Sequence, residues 1–177
     1  MIAKSLPRSP IRTARLTLRP TSVADAQRAL EIQSDRDVAR MLANATYPAD
    51  REDMETWFAS HAQEWAEGTA YRFAIEQEGR MIGVVDVDGI AVGAGSLGYW
   101  LERAAWGKGY AFEAAQALVE FAFSEVGLSS LVSGHAADNP ASGHVLTKLG
   151  FTQLDSRELF SRSRGETILQ ARYTLTR

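Results

Sequence analysis

Gly107 and Gly109, one residue apart in Trp106-Gly107-Lys108-Gly109-Tyr110-Ala111, run directly into an apolar stretch with helical spacing. Such a turn can hold a phosphate by main chain alone. The first N–H groups of a helix lack intrahelical partners and the helix dipole is positive there, so a pyrophosphate accepts several hydrogen bonds at once. Glycine lets the phosphate come close. The helix is marked by Ala111, Ala114, Ala115, Leu118, Val119, Ala122 and Val126 at three-and-four spacing, and Gly127 stands where a left-handed cap ends it. A nucleotide-bearing cofactor suits this geometry. A P-loop would need Gly-Lys-Ser/Thr, whereas Gly109 is followed by Tyr110 and Ala111; a dinucleotide-binding unit would need a third glycine where Phe112 stands. Both patterns fail.

Composition narrows the field. A chain of 177 residues with 45% hydrophobic content has the size of one ordinary domain with its own core. Without cysteine there are no disulfides, thiolate nucleophiles or cysteine-ligated metals, and His61, His135 and His144 show no metal-ligand spacing. No metal site is expected. A net charge of −3 with interspersed signs gives no basic stripe for nucleic acid, and no apolar run suits a membrane span or a signal peptide. A soluble, cytoplasmic protein without nucleic-acid or membrane partners is expected.

The elements that must position the turn follow from periodicity. Pro7 and Pro10 predict a flexible N-terminal arm over residues 1–11. Arg15-Leu16-Thr17-Leu18-Arg19 alternates as a strand, and Thr21 or Ser22 caps a helix, with Asp25 completing a capping box after Ser22. Asp50 caps another helix, whose Met54, Trp57, Phe58, His61 and Trp65 form a core stripe. Residues 71–76 and 81–87 form a hairpin around Glu78-Gly79. A glycine-rich link over residues 89–95 leads to a strand at residues 97–101, just before the glycine turn. Beyond the long helix come a strand at 131–135, a helix opening at Asn139-Pro140, and two closing strands flanking residues 161–166. Ser161-Arg162-Ser163-Arg164 reads as a solvated loop. This is an α+β pattern with a mixed sheet: antiparallel strands, one strand-helix-strand crossover and a terminal hairpin.

Four motifs in order carry a resemblance: Gly98-Tyr99-Trp100-Leu101; the glycine turn with Glu113-Ala114; Asn139-Pro140-Ala141-Ser142; and Lys148-Leu149-Gly150-Phe151. Together they resemble the GCN5-related N-acetyltransferases (GNAT), within them the branch of ribosomal-protein N-terminal acetyltransferases. The resemblance implies the acyl-CoA N-acyltransferase fold: a mostly antiparallel central sheet, splayed between two strands and flanked by helices, here as a single domain over residues 12–177. It implies direct transfer of acetyl from acetyl-CoA to a primary amine, either a protein N-terminus or a small molecule. It also admits a homodimer through the closing strands.

The implied cofactor contacts are backbone groups of Trp106, Gly107, Lys108, Gly109, Tyr110 and Ala111 for the pyrophosphate. The strand residues Tyr99, Trp100 and Leu101, with Asn139 and Ser142, would serve the pantetheine arm. The Leu101 N–H would polarise the thioester carbonyl. Asn139 also suits a helix cap, and both roles can hold together. Two family positions are altered: Ala104 replaces a basic or amide residue, for which Arg103 is a substitute, and Leu146 replaces the tyrosine acid. Ser142 is then the candidate proton donor to the thiolate, or simply a polar residue in a first helical turn. The usual basic glutamate falls close to Gly93, leaving Asp86, Asp88 and Glu102 as candidates. His135 ends a strand facing the site and reads as structural, and His144 decorates a helix surface. With acid and base both altered, a catalytically inactive acyl-CoA-binding or sensing domain is the alternative function.

Overall fold

The computed structural model describes residues 5–177, so the first four residues of the expected arm lie outside the described residues. Strands β1 (Ile11–Arg12), β2 (Thr17–Pro20), β3 (Tyr71–Gln77), β4 (Arg80–Ala91), β5 (Ala94–Leu101), β6 (Ser130–Ala136), β7 (Thr152–Ser161) and β8 (Glu166–Thr176) form one sheet in the order β1-β2-β3-β4-β5-β6-β8-β7. Helices α1 (Ala26–Gln33), α2 (Arg36–Ala39) and α3 (Arg51–Glu67) fall between β2 and β3. Helix α4 (Tyr110–Phe121) joins β5 to β6, and α5 (Pro140–Lys148) joins β6 to β7. Every neighbouring pair is antiparallel except β5 with β6, where α4 makes the crossover that parallel strands require. This is the expected GNAT architecture.

Local chemistry sets the element ends. The Asp25 carboxylate accepts the Ser22 N–H at 2.8 Å, forming the predicted capping box ahead of α1, and Asp50 accepts the Asp53 N–H at 2.9 Å at the start of α3. Gly68 and Gly127, at φ 71° and 80°, end α3 and the π-turn that extends α4. The predicted link over residues 89–95 is corrected. β4 runs on to Ala91, and Val92 and Gly93, at φ 50° and 75°, make a two-residue turn into β5. A valine in the left-handed region carries no sequence signal for a turn. The strand predicted from Arg15 starts two residues later, as β2 at Thr17, and β1 begins at Ile11, inside the predicted arm.

The sheet separates two apolar layers. On one face Ala26 and Ala29 of α1 and Met54 and Phe58 of α3 pack with Ala74, Met81 and Val84. Ala114, Ala115, Leu118 and Val119 of α4 share the other layer with Ile75, Val85, Val87, Leu97 and Leu101, and Leu146 of α5 joins them. Trp65 completes this layer at the end of α3, its indole N–H donating to the Leu6 carbonyl at 2.8 Å.

His61, on the predicted α3 stripe, is 2% exposed, and its Nδ1 lies 2.7 Å from Thr21 Oγ1. Its Nε2 is buried without a partner among the described residues. Burial first, and then the Arg72 charge, push the imidazole down to about 4. The folded chain therefore keeps His61 neutral between about pH 6.5 and 4, where the unfolded chain binds a proton, so stability falls as pH falls through that window. We expect urea unfolding to report about 3 kcal/mol more stability lost from pH 6.5 to 4 in the wild type than in His61→Gln. Equal slopes would place the proton uptake elsewhere.

Candidate functional site

The site begins where two strands part. β5 and β6 pair only at Ala94–Ser130, Gly95–Leu131 and Ser96–Val132, and beyond Ser96 they diverge. The Glu102 N–H donates to the Ile82 carbonyl at 2.7 Å, in register with Gly83–Leu101 and Val84–Trp100. Hydrogen-bonded and non-bonded pairs alternate along an antiparallel ladder, so Gly98 and Trp100 spend their polar groups on β4 while Leu97, Tyr99 and Leu101 direct theirs into the gap. Two of the carbonyls there are occupied: Leu97 accepts Ser133 Oγ–H at 2.8 Å and Leu101 accepts the Trp106 indole N–H at 3.0 Å. The Leu101 N–H is left facing the opening. A cleft of about 740 Å³ fills the divergence, reaching from Gly107 and Gly109 to Met41, Leu159 and Ile168.

The glycine turn closes one end of this cleft. Gly107 and Gly109 have φ of 74° and 81°, and Gly109 is the N-cap of α4, with the first bond into the helix running from Glu113 N–H to its carbonyl at 3.1 Å. The N–H groups of Tyr110 and Ala111 precede that bond and have no intrahelical acceptor. A Cβ on Gly107 would meet nothing within 4 Å, so its glycine answers to backbone conformation alone. The cation beside the turn is Arg15, which the sequence placed only on a strand. It donates to the Lys108 carbonyl at 2.9 Å and to Glu113 Oε1 at 3.3 Å, and its guanidinium lies 4.5 Å from the centre of the Tyr110 ring. Arg103 does not take the place suggested for it: it turns to Asp35 and Asp37, at 2.9 and 3.0 Å. Lys108 does not line the cleft, whereas Tyr99, Trp100, Leu101, Trp106, Tyr110, Ala111, Asn139 and Ser142 do.

Ser142 is held by a residue 43 positions away. Its Oγ lies 2.8 Å from the Tyr99 hydroxyl, which also donates to the Ser142 carbonyl at 3.1 Å. Burial pushes the Tyr99 phenol up to about 12, against the opposing effect of the Ser142 bond, so it stays protonated at neutral pH. Nothing in the sequence spacing pointed to this pair. Asn139 is the N-cap of α5 but makes no side-chain capping bond, so its amide is free for another partner. Leu146 is fully buried in the core, His144 is exposed, and His135 places Nδ1 2.7 Å from the Ala136 carbonyl and Nε2 3.3 Å from the Tyr173 hydroxyl.

The acidic candidates separate cleanly. Glu102 lies outside the cleft, clasped by Arg28 and Arg80; burial pushes its carboxyl up, but those arginines outweigh it and hold it below its usual range. Gly93 sits at the β4–β5 hairpin tip, beside Ser129. Asp86 does line the cleft, and its Oδ2 accepts Arg72 Nη1–H at 2.6 Å. Asp138, also on the cleft wall, is gripped by Arg164 through both oxygens at 2.7 and 2.9 Å and by Arg40 at 2.9 Å. This grip belongs to a strap across the cleft. The Arg162 N–H donates to the Ala43 carbonyl at 2.8 Å, Ser163 Oγ–H to Leu42 at 2.9 Å and Arg164 Nε–H to Arg40 at 2.8 Å. The Ser-Arg run is thus a bridge between the β7–β8 hairpin and the segment after α2, a correction to the solvated loop predicted from its composition.

Residues 15–152 match the acetyltransferase (GNAT) domain family. The chain is 31% identical over 144 residues to a probable N-acetyltransferase, YjcK, of Bacillus subtilis, covering 76% of this chain and 78% of that one. It is 29% identical over 160 residues to an uncharacterized N-acetyltransferase, p20, of Bacillus licheniformis, covering 88% and 89% respectively. Among solved structures it is similar to RimL, a ribosomal L7/L12 alpha-N-protein acetyltransferase in complex with coenzyme A. The TM-score is 0.85 at 20% identity, over 95% of this chain and 98% of that chain.

The strap carries its own prediction. Arg164 first, with Arg40 in support, holds the Asp138 carboxyl down to about 2, but the group is half exposed and its pairs are worth at most about 1 kcal/mol. In Asp138→Ala we expect amide exchange at Arg162 to quicken about tenfold at neutral pH while global stability changes by less than about 1 kcal/mol. Unchanged exchange would mean that the main-chain bonds alone hold the strap.

Proposed function

The chain belongs to the GNAT acetyltransferase family and is an N-acetyltransferase that uses acetyl-CoA; we propose that it acetylates a primary amine, a protein N-terminus or a small molecule, through the residues gathered around the β5–β6 gap. The observation that carries this reading is the free edge of β5, with the Leu101 N–H facing a cleft that ends on a glycine turn at a helix N-terminus. The cradle suits a pyrophosphate because the opening amides of α4 lack partners and two left-handed glycines leave them uncovered. Tyr99 and Leu101 would pair by main chain with the pantetheine arm, and the uncommitted Asn139 amide would hydrogen-bond it. When bound, acetyl-CoA supplies an acetyl thioester.

Leu101 acts by its N–H, which stabilises the negative charge that develops on the carbonyl oxygen; one preorganised donor of this kind contributes roughly 2.7 to 4 kcal/mol. Ser142 delivers a proton to the departing sulfur, and Tyr99, protonated and 2.8 Å away, replaces the proton Ser142 gives up. Met41, Leu42, Leu159 and Ile168 at the far end of the cleft supply an apolar wall for the acceptor. RimL, by its own description, acts on a ribosomal protein. Whether the acceptor here is a polypeptide or a free amine is decided by assay of both.

Calorimetric titration with acetyl-CoA tests the cradle: we expect Gly109→Glu to abolish binding, because its carboxylate fills and repels the phosphate site. Ser142→Ala should keep affinity within about threefold and lower kcat by about 100-fold. Retained binding in the first variant, or unchanged turnover in the second, would remove the corresponding role. The homodimer is part of this proposal, since the outer strand β7 exposes Leu154 and Phe160 along an edge that two copies can share. Sedimentation over a tenfold concentration range should reveal a species of twice the chain mass, and a single monomeric species would refute it.

A further inference from the structure

We propose that Asp86 is the catalytic group that binds the acceptor's ammonium and takes its first proton. The proposal rests on the acetyl-transfer reading above and adds the base that reading lacks. Asp86 stands opposite Gly98 across the β4–β5 ladder, and strand alternation puts its side chain with that of Val84, on the sheet face covered by α1 and α3. Its Oδ2 is fixed by Arg72, whereas its Oδ1 has no hydrogen-bond partner among the described residues. A Cβ on Gly98 would lie 2.7 Å from that Oδ1, so a side chain there would displace the carboxylate. Glycine leaves the free oxygen at the edge of the cleft.

The surrounding charges ask for one more cation. Arg72 donates to Glu64 at 2.9 and 3.3 Å, to Asp86 at 2.6 Å and to Asp88 at 3.2 Å, and it stacks 5.2 Å from the centre of the Trp57 ring. One guanidinium therefore faces three carboxylates. His61, buried beside them and neutral at physiological pH, adds no charge. An ammonium bound at Oδ1 supplies the missing positive charge inside the cleft. Burial, with Asp88 and Glu64 adding to it against Arg72, pushes the Asp86 carboxyl up to about 7, where a base that must both gain and release a proton at neutral pH works best. Asp138 cannot serve, both its oxygens being held by Arg164.

The spacing also fits. Gly98 precedes Leu101 by three residues, about 10 Å along a strand. An amide-to-oxygen contact, a carbonyl bond, a near-attack separation and a final N–H···O bond laid end to end also span roughly 10 Å. In the reaction, the Asp86 carboxylate takes one proton from the ammonium. The freed nitrogen attacks the thioester carbonyl carbon, a C–N bond forms and the C–S bond breaks. As the C–S bond breaks, the second nitrogen proton passes to solvent water in the cleft and Ser142 delivers its own to sulfur; solvent then reprotonates Ser142 through Tyr99, so the products are an amide and a thiol. Asp86 then returns its proton to solvent.

The test uses the full chain with ethylamine and trifluoroethylamine, the second largely unprotonated at pH 7. Asp86→Asn should bind acetyl-CoA within threefold of wild type by calorimetry yet lose about 100-fold or more in kcat/KM for ethylamine, with a much smaller loss for trifluoroethylamine. The acid limb of the wild-type pH profile should vanish in Asp86→Asn and move to higher pH in Arg72→Gln, since the removed guanidinium favours the carboxylate. An acid limb retained in Asp86→Asn, or equal losses for the two amines, would overturn the proposal. If acetyl-CoA binds but neither amine is acetylated, the acceptor reading fails on its own, and carbon NMR of the aspartate carboxyls judges Asp86 separately. A carboxyl that titrates near neutrality, responds to ethylamine in the coenzyme A complex and is absent from Asp86→Asn upholds it. One that titrates near about 4 and ignores ethylamine refutes it.

Discussion

The one parallel pairing in this sheet, β5 with β6, is the constraint from which the site follows. A parallel neighbour demands a long crossover, and α4 supplies it, so the helix N-terminus must stand at the end of β5. The glycine turn is thereby delivered to the mouth of the cleft by topology. Because the two strands stay paired for only three residues, the same connection leaves the Leu101 edge without a sheet partner. Unpaired main chain inside a protein is costly unless something else satisfies it. Here Ser133 and the Trp106 indole occupy two carbonyls, and the amide between strand and turn stays open.

A sheet split along its length has two halves that need joining elsewhere. α4 packs on β4 and β5 while α5 packs on β6 and α4, which ties the halves together on one face. On the other side the join is polar. The carbonyls of Arg40, Leu42 and Ala43 receive donors from the β7–β8 hairpin, and Asp138 binds arginines from both halves. An apolar seal there would have filled the cleft, whereas main-chain bonds and an exposed ion triad span it at little cost in volume. The strap is therefore compatible with an open interior in a way that further core packing is not.

What could be read from the sequence was what is local. Caps at Ser22 and Asp50, the α3 and α4 stripes and the turn at Gly107 and Gly109 are encoded within a few residues, and they stand where periodicity placed them. The α+β class with one crossover followed from the order of the elements, whereas the splay came from the resemblance carried by four motifs. What escaped was contact at a distance. Arg15 reaches the turn from 93 residues away, the Tyr99 hydroxyl finds Ser142 across the gap, and Arg103 leaves for α2 because two aspartates wait there. Val92 hid a hairpin, since its left-handed backbone is sustained by the strands on either side and not by its own preference. Asp86 was one of three candidate acids, behind Glu102, until burial, Gly98 and Arg72 distinguished it.

The proposed acid relay and the proposed base occupy opposite faces of the sheet. Tyr99 and Ser142 stand with α4 and α5, whereas Asp86 stands with α1 and α3, and the gap between β5 and β6 joins the two sides. Such a layout has chemical use. A base that has just accepted a proton and an acid that must soon give one would exchange it directly if they were hydrogen-bonded, and the site would then be left with the acid spent before sulfur departs. Separation by a layer of backbone leaves the reacting atoms themselves as the connection. On the proposed mechanism the amine would enter beside a free carboxylate oxygen and an apolar wall, the thiol would leave beside a phenol and a hydroxyl, and the Leu101 amide would mark the crossing point. A closed sheet would supply strands just as stable and no place for that exchange.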